Sequence, residues 1–123
     1  MEWVFNNDKP IYSQIIHLLK LEIVSGKLAP GSRLPGVREL AMEAGVNPNT
    51  MQRAFAELER SGLCFTQRNN GRFVTEDQNM ISDTRSELAV EYVNDYLAKM
   101  EALGYTVLAA AAKLTEEKEN DNT

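Results

Sequence analysis

Cysteine is almost missing from this 123-residue sequence: Cys64 stands alone. One thiol closes no internal disulfide, and without a CxxC neighbour it offers neither a redox pair nor half of a zinc site. It reads as a reduced, half-buried strand residue. Histidine is equally scarce. His17 lies inside a helical pattern with no second ligand and no serine or cysteine motif around it, so neither a metal centre nor a nucleophilic triad can be assembled. Glycines occur singly, at the ends of patterned segments, and no glycine-rich phosphate loop results. Glu57 and Glu59 are two apart on one helix and cannot face each other as a glycosidase pair. The sequence therefore offers no catalytic residue, no metal ligand set and no cofactor motif, and is not expected to be an enzyme. Long apolar runs are missing too, so no segment reaches the ~18 residues of a membrane span. The start, Met1-Glu2-Trp3-Val4-Phe5-Asn6, lacks the basic-then-apolar layout of a signal peptide, which leaves the cytoplasm as the expected location.

What is present describes an ordinary soluble globular chain, 43% apolar and 25% charged. Its length allows one compact domain plus an appendage. The net charge of −5 is unevenly spread. Residues 1–76 carry nine Lys and Arg against eight Asp and Glu, whereas residues 77–123 carry four against ten. Between Arg33 and Arg72 every basic residue is arginine, the planar, bidentate cation suited to phosphates and guanine edges. Overall acidity therefore does not exclude a nucleic-acid partner.

Asp8-Lys9-Pro10 predicts a helix start with an acidic cap, and apolar positions 12, 15, 16, 19 and 23 supply one stripe as far as Gly26. Pro30-Gly31 predicts a reversal, with a short extended piece at Arg33-Leu34. Pro35 opens a second helix with Val37, Leu40, Ala41 and Ala44 on one side, closed by Gly45. Asn47 as cap and Pro48 in the first turn open a third, running to about Arg60. Leu63–Gln67 and Arg72–Thr75 predict a hairpin across Arg68-Asn69-Asn70-Gly71, where Asn-Gly supplies positive φ. Glu76 to Met80 reads as a linker. Thr84-x-x-Glu87 then resembles a capping box before a long amphipathic helix ending at Gly104, and Thr106 caps a last one to about Lys118. The acidic stretch from Glu116 to Thr123 is expected to fray.

Two helices joined by a short glycine-containing turn, followed by a hairpin, predict a mostly α fold: a winged helix-turn-helix over residues 1–76 and a two-helix segment over 77–123. In such a layout the second helix of the pair enters the DNA major groove. Its apolar stripe is Met51, Ala54, Phe55 and Leu58. On the opposite side Asn49, Gln52, Arg53 and Ala56 repeat the same spacing. Amides pair bidentately with adenine and arginine with guanine, so this face is the expected reader. Arg38 and the hairpin residues Arg68, Asn70 and Arg72 are placed for phosphate or minor-groove contacts. A winged helix serving only as a protein-interaction module would instead need an apolar or aromatic centre on that face.

The motifs Pro10-Ile11-Tyr12-x-Gln14, Ile23-x-x-Gly26-Lys27-Leu28-x-Pro30-Gly31, Leu34-Pro35-Gly36-Val37-Arg38-Glu39-Leu40-Ala41 and Asn70-Gly71-Arg72-Phe73-Val74 span residues 10–75, which resemble the DNA-binding domain of the GntR family of bacterial regulators. Gly45-Val46-Asn47-Pro48-Asn49-Thr50 is similar to the short, YtrA-like branch. Many members have arginine where Pro48 and Gln52 stand, so those two base contacts do not carry over. The resemblance implies DNA contacts at Arg38, Thr50 and Gly71. With the residues above and the cap Asn47, the candidate DNA-binding set is Arg38, Asn47, Asn49, Thr50, Gln52, Arg53, Arg68, Asn70, Gly71 and Arg72.

The C-terminal helices cannot enclose much core of their own. Ala89, Val93, Tyr96, Leu97, Met100 and Leu103, with Val107, Leu108 and Ala111, are expected to be buried against a second copy. A palindromic operator calls for such two-fold symmetry, and the resembled branch dimerises in this way. The expected partners are a double-stranded DNA operator and a second copy of the chain. A small-molecule effector, between the two segments or at the dimer interface, is a further expectation that no residue cluster specifies.

Overall fold

The computed structural model describes residues 1–121. In chain order the elements are α1 (Ile11–Val24), α2 (Val37–Ala44), α3 (Pro48–Arg60), β1 (Cys64–Gln67), β2 (Gly71–Val74), α4 (Gln78–Ala102) and α5 (Val107–Asp121). They divide into two compact units, Met1–Arg85 and Ser86 onward, so the first turns of α4 belong to the first unit.

The first unit is built around one core. Ile15, Leu19 and Ile23 of α1, Leu40 and Ala41 of α2, and Met51, Ala54, Phe55 and Leu58 of α3 meet Leu34, Leu63, Cys64, Val74 and Ile81. The i, i+4, i+8 spacing in α1 and the i, i+3, i+4, i+7 spacing in α3 put those side chains on single faces, and those faces are buried. Tyr12 and Ile16, the other members of the expected α1 stripe, are only half-buried.

Helix α1 is not capped by Asp8. Its N-cap is Pro10, with no side-chain hydrogen bond. The preceding segment is held instead by Gln14, whose Nε2 donates to the carbonyls of Asn6 and Lys9, each at 2.9 Å, while its Oε1 accepts from the Asn6 N–H at 3.0 Å. This clasp presents Trp3 and Phe5 to the core. Helix α2 starts at Val37, two residues after the expected Pro35, with Gly36 as N-cap; it ends as expected at Gly45, whose φ of 71° is left-handed. Helix α3 has the expected bounds. The Asn47 side chain accepts from the Asn49 N–H at 2.8 Å, and Pro48 occupies the first turn.

The hairpin pairs Cys64 with Val74, Phe65 with Phe73, Thr66 with Arg72 and Gln67 with Gly71, antiparallel. Arg33 bridges Phe73 and so adds a short third extended piece. Positive φ falls on Asn69 (68°) and Gly71 (101°), and Gly71 lies in β2.

The segment 76–80 is not a linker. Asp77 accepts through Oδ1 from the Asn79 and Met80 N–H groups and opens α4 there. Thr84 is inside the helix, buried, with its hydroxyl donating to the Met80 carbonyl at 2.9 Å; it caps nothing. Ile81 packs into the core, and Arg85 donates to the Val24 carbonyl at 2.8 Å. In the second unit, the Tyr96 hydroxyl donates to the Ala110 carbonyl at 2.7 Å and Ala110 is buried, which fixes α5 against the end of α4. Helix α5 extends to Asp121, past the expected Lys118; residues 122–123 of the expected frayed tail lie outside the described residues. No described helix is long and apolar enough to cross a membrane.

Candidate nucleic-acid interface

Helix α3 separates its chemistry by face. Met51, Ala54, Phe55 and Leu58 are buried, while Asn49, Gln52 and Arg53 are exposed. Ala56, expected beside them, is half-buried. Asn47 is exposed, but its side-chain oxygen is committed to the cap, which leaves only its NH₂ to donate outward. Thr50 is half-buried and lines a small hollow with Asn49, Arg53 and, from α1, Ile11 and Tyr12. There the Arg53 guanidinium lies 3.6 Å from the centroid of the Tyr12 ring. A guanidinium stacked on an aromatic face keeps its N–H edge free for in-plane acceptors. Tyr12, expected only in the apolar stripe of α1, was not among the expected DNA-binding residues, because nothing in sequence spacing links it to Arg53.

Arg38 is exposed on α2, and Arg68 and Asn70 are exposed on the hairpin loop. Arg72 differs: it is half-buried, its guanidinium carbon lies 5.3 Å from the centroid of the Phe55 ring, and its Nε is buried without a hydrogen-bond partner. Gly71 and Arg72 share an open cleft of about 600 Å³ with Gly36 and Val37 at the start of α2. Among the described residues, Arg33, Arg38, Arg53, Arg68 and Arg72 have no carboxylate within ion-pair distance; Arg60, Lys99 and Lys113 do.

Cys64 is buried and its pKa is pushed up to about 11. Burial is the main cause, the Glu59 carboxylate adds to it, and Arg72 opposes it. Such a thiol is a core side chain rather than a nucleophile or metal ligand. Among the described residues no group of three or more His, Cys, Asp or Glu side chains is arranged to hold a metal ion.

In the second unit the expected interface residues fall into two sets. Tyr96, Leu97 and Met100 are half-buried, and Tyr96 and Met100 line a groove of about 390 Å³ with Leu103, Tyr105 and Leu114. Ala89, Val93, Leu103, Val107, Leu108 and Ala111 are exposed, Leu108 to 83%. Val90 and Tyr92, not expected in the stripe, are exposed apolar residues as well.

The model of bacterial regulatory proteins of the gntR family matches residues 11–74, from the start of α1 to the end of the hairpin. The chain is 38% identical over 106 residues to the uncharacterized HTH-type transcriptional regulator YhcF of Bacillus subtilis, covering 86% of this chain and 88% of that one. It is 46% identical over 68 residues to the HTH-type transcriptional repressor YtrA of the same organism, covering 55% and 52% of the two chains. Among solved structures, a GntR family transcriptional regulator from Listeria monocytogenes superposes with a TM-score of 0.82 at 38% identity, over 91% of this chain and 98% of that one. AraR(DBD) in complex with operator ORX1 superposes with a TM-score of 0.56 at 28% identity, over 61% and 96%. The mostly helical fold with its two-stranded wing is the one these regulators have. The chain belongs to the GntR family of bacterial regulatory proteins and is similar to its YtrA branch.

Proposed function

We propose that this protein is a sequence-specific DNA-binding transcriptional regulator, a repressor that holds a palindromic operator as a homodimer in the cytoplasm and catalyses no reaction. The observation that carries the reading is the exposed face of α3. Asn49, Gln52 and Arg53 are exposed on a helix whose opposite side is fully buried. A helix so anchored presents amide and guanidinium groups as a rigid row, which is what reading adenine and guanine edges in the major groove requires. Arg38, Arg68, Asn70 and Arg72, which lack acidic partners, supply the sequence-independent phosphate and minor-groove contacts. YtrA being a repressor, and AraR(DBD) an operator binder, supports the same role here.

The homodimer part of the reading rests on the second unit. Val90, Val93, Leu103, Val107, Leu108 and Leu114 are large apolar side chains open to water on α4, α5 and the turn between them. At ~25 cal/mol per Å², covering several of them contributes several kcal/mol before the cost of association. Two copies would then address half-sites about one helical turn apart. Selection of genomic DNA fragments by the full-length protein, followed by sequencing, tests both parts. An enriched inverted repeat and a dimer by light scattering at micromolar concentration are expected. Absence of enrichment overturns the operator, and a monomer that binds single half-sites overturns the dimer.

A further inference from the structure

We propose that Arg33 and Arg72 together form a cleft for a phosphate group, filled in the complex by an operator backbone phosphate beside the wing; this rests on the DNA-binding reading above. Arg33 belongs to none of the contacts expected from the sequence. Its backbone is fixed: it bridges Phe73, and on either side Leu34 N–H donates to the Arg72 carbonyl at 2.8 Å and Val74 N–H to the Ser32 carbonyl at 2.9 Å. Its side chain lies flat across Gly71, so close that a Cβ built there would stand 2.9 Å from Nε and 3.3 Å from Nη2. Gly71 is favoured for its φ of 101°, and a Cβ there would also push the Arg33 guanidinium aside.

Arg72 reaches the same cleft from the neighbouring position of β2, resting over Phe55 with its Nε buried and unpartnered. Like charges gathered in one cleft repel. The one carboxylate in the lining, Glu39, pairs with neither arginine, whereas Arg60, at the far end of α3, is paired with Glu57. Two arginines with no carboxylate paired to either are organised for an external oxyanion. Two guanidinium forks fit the several oxygens of a phosphate better than the single plane of a carboxylate. The cleft also opens at Gly36, the N-cap of α2, where a Cβ would meet nothing within 4 Å and no side chain caps the helix.

The test uses the full chain with two probes, an operator duplex and inorganic phosphate. For Arg33→Gln the slope of log K against log salt is expected to fall by about 0.9 for each protomer bound, with the preference among operator sequences unchanged. Gly71→Ala displaces Arg33, so adding Arg33→Gln to it is expected to cost no further affinity. In the second arm, without DNA, thermal unfolding is followed in millimolar inorganic phosphate and in chloride of equal ionic strength. A phosphate-specific rise in Tm that Arg33→Gln removes, with an unchanged salt slope, would assign the cleft to a free phosphate ligand and overturn its assignment to the DNA backbone. If Arg33→Gln alters neither the salt slope nor the phosphate response, the cleft binds no phosphate. Should the unaltered protein bind no DNA at all, the DNA-binding reading fails, and with it the backbone assignment, while the phosphate arm still decides the cleft.

Discussion

Replacing Tyr12 by leucine tests whether α1 helps α3 to read DNA. The ring lies 3.6 Å beneath the Arg53 guanidinium, well inside the range of an attractive cation–π contact. At an exposed site such a contact is worth ~0.5–1 kcal/mol, and more once DNA has excluded water. A free arginine side chain also carries ~2 kcal/mol of rotamer entropy, part of which is already given up in the stacked state rather than on binding. Tyr12→Leu keeps an apolar, half-buried side chain but loses the π face. Operator affinity should fall by ~0.5–1.5 kcal/mol, or about 2- to 10-fold, with little change in affinity for non-specific duplex. Tyr12→Phe keeps the face and should retain most of the affinity. Fluorescence anisotropy with operator and scrambled duplexes, run on both variants and on each combined with Arg53→Ala, completes a double-mutant cycle. If Tyr12→Leu costs as much in the Arg53→Ala background as in the unaltered protein, the two residues act independently and the stacking does not position Arg53.

Gln52→Ala should weaken specific binding by ~1–3 kcal/mol with non-specific binding nearly unchanged, since the side chain is exposed and its loss leaves the core intact; competition titration measures both. A chain ending at Arg85 should keep the winged fold and run as a monomer by light scattering, whereas one ending at Asp77 should unfold more readily because it removes Ile81, 4% exposed, from the core. Cys64 should make stability fall as pH rises: its folded pKa of about 11 lies above the ordinary thiol value, so between about pH 9 and 11 the unfolded chain ionises first. The loss should approach ~1–3 kcal/mol near pH 11, be absent below pH 8, and disappear in Cys64→Ala when urea unfolding is followed by Trp3 fluorescence.

The sequence made α3 legible to the residue because local and tertiary signals agree there. Asn47 and Pro48 determine the start, Ser61-Gly62 the end, and the apolar spacing the buried side. The hairpin was legible in place, but its positive φ angles fall on Asn69 and Gly71 rather than on the Asn70-Gly71 pair, and Gly71 already belongs to β2. The start of α4 is misplaced by the sequence reading because Thr84-x-x-Glu87 has the form of a cap, while Asp77 has the same chemistry seven residues earlier and caps the helix. Met80, Ile81, Thr84 and Leu88 already follow a helical spacing from the end of the supposed linker, and that spacing was the better signal. The start of α1 was misplaced because its order comes from Gln14 reaching back to Asn6, a contact with no cap signature. Arg33 and Tyr12 were invisible for a different reason: each matters through a residue far along the chain, Gly71 or Arg53, and only the packed first unit brings them together.

Net charge gives the wrong intuition for this chain because the excess acid lies in residues 77–123, and because it does not say which cations are free. Lys99 is paired with Asp95, Lys113 with Glu116 and Glu117, and Arg60 with Glu57, so these cations add little to any external field. Arg33, Arg38, Arg53, Arg68 and Arg72 are uncommitted, and all lie between the start of the wing's short third extended piece and β2. An anion approaching that region meets unpaired guanidinium groups even though the whole molecule is acidic. The acidic remainder has a use under the proposed function. Repulsion from DNA acts on every sequence alike and lowers operator and non-specific affinity together, whereas base contacts from Asn49, Gln52 and Arg53 are gained only at the operator. Because that uniform term cancels from the ratio of the two affinities, and occupancy in a genome follows the ratio, discrimination rests on the α3 face alone, while the acidic remainder sets how much salt the complex tolerates.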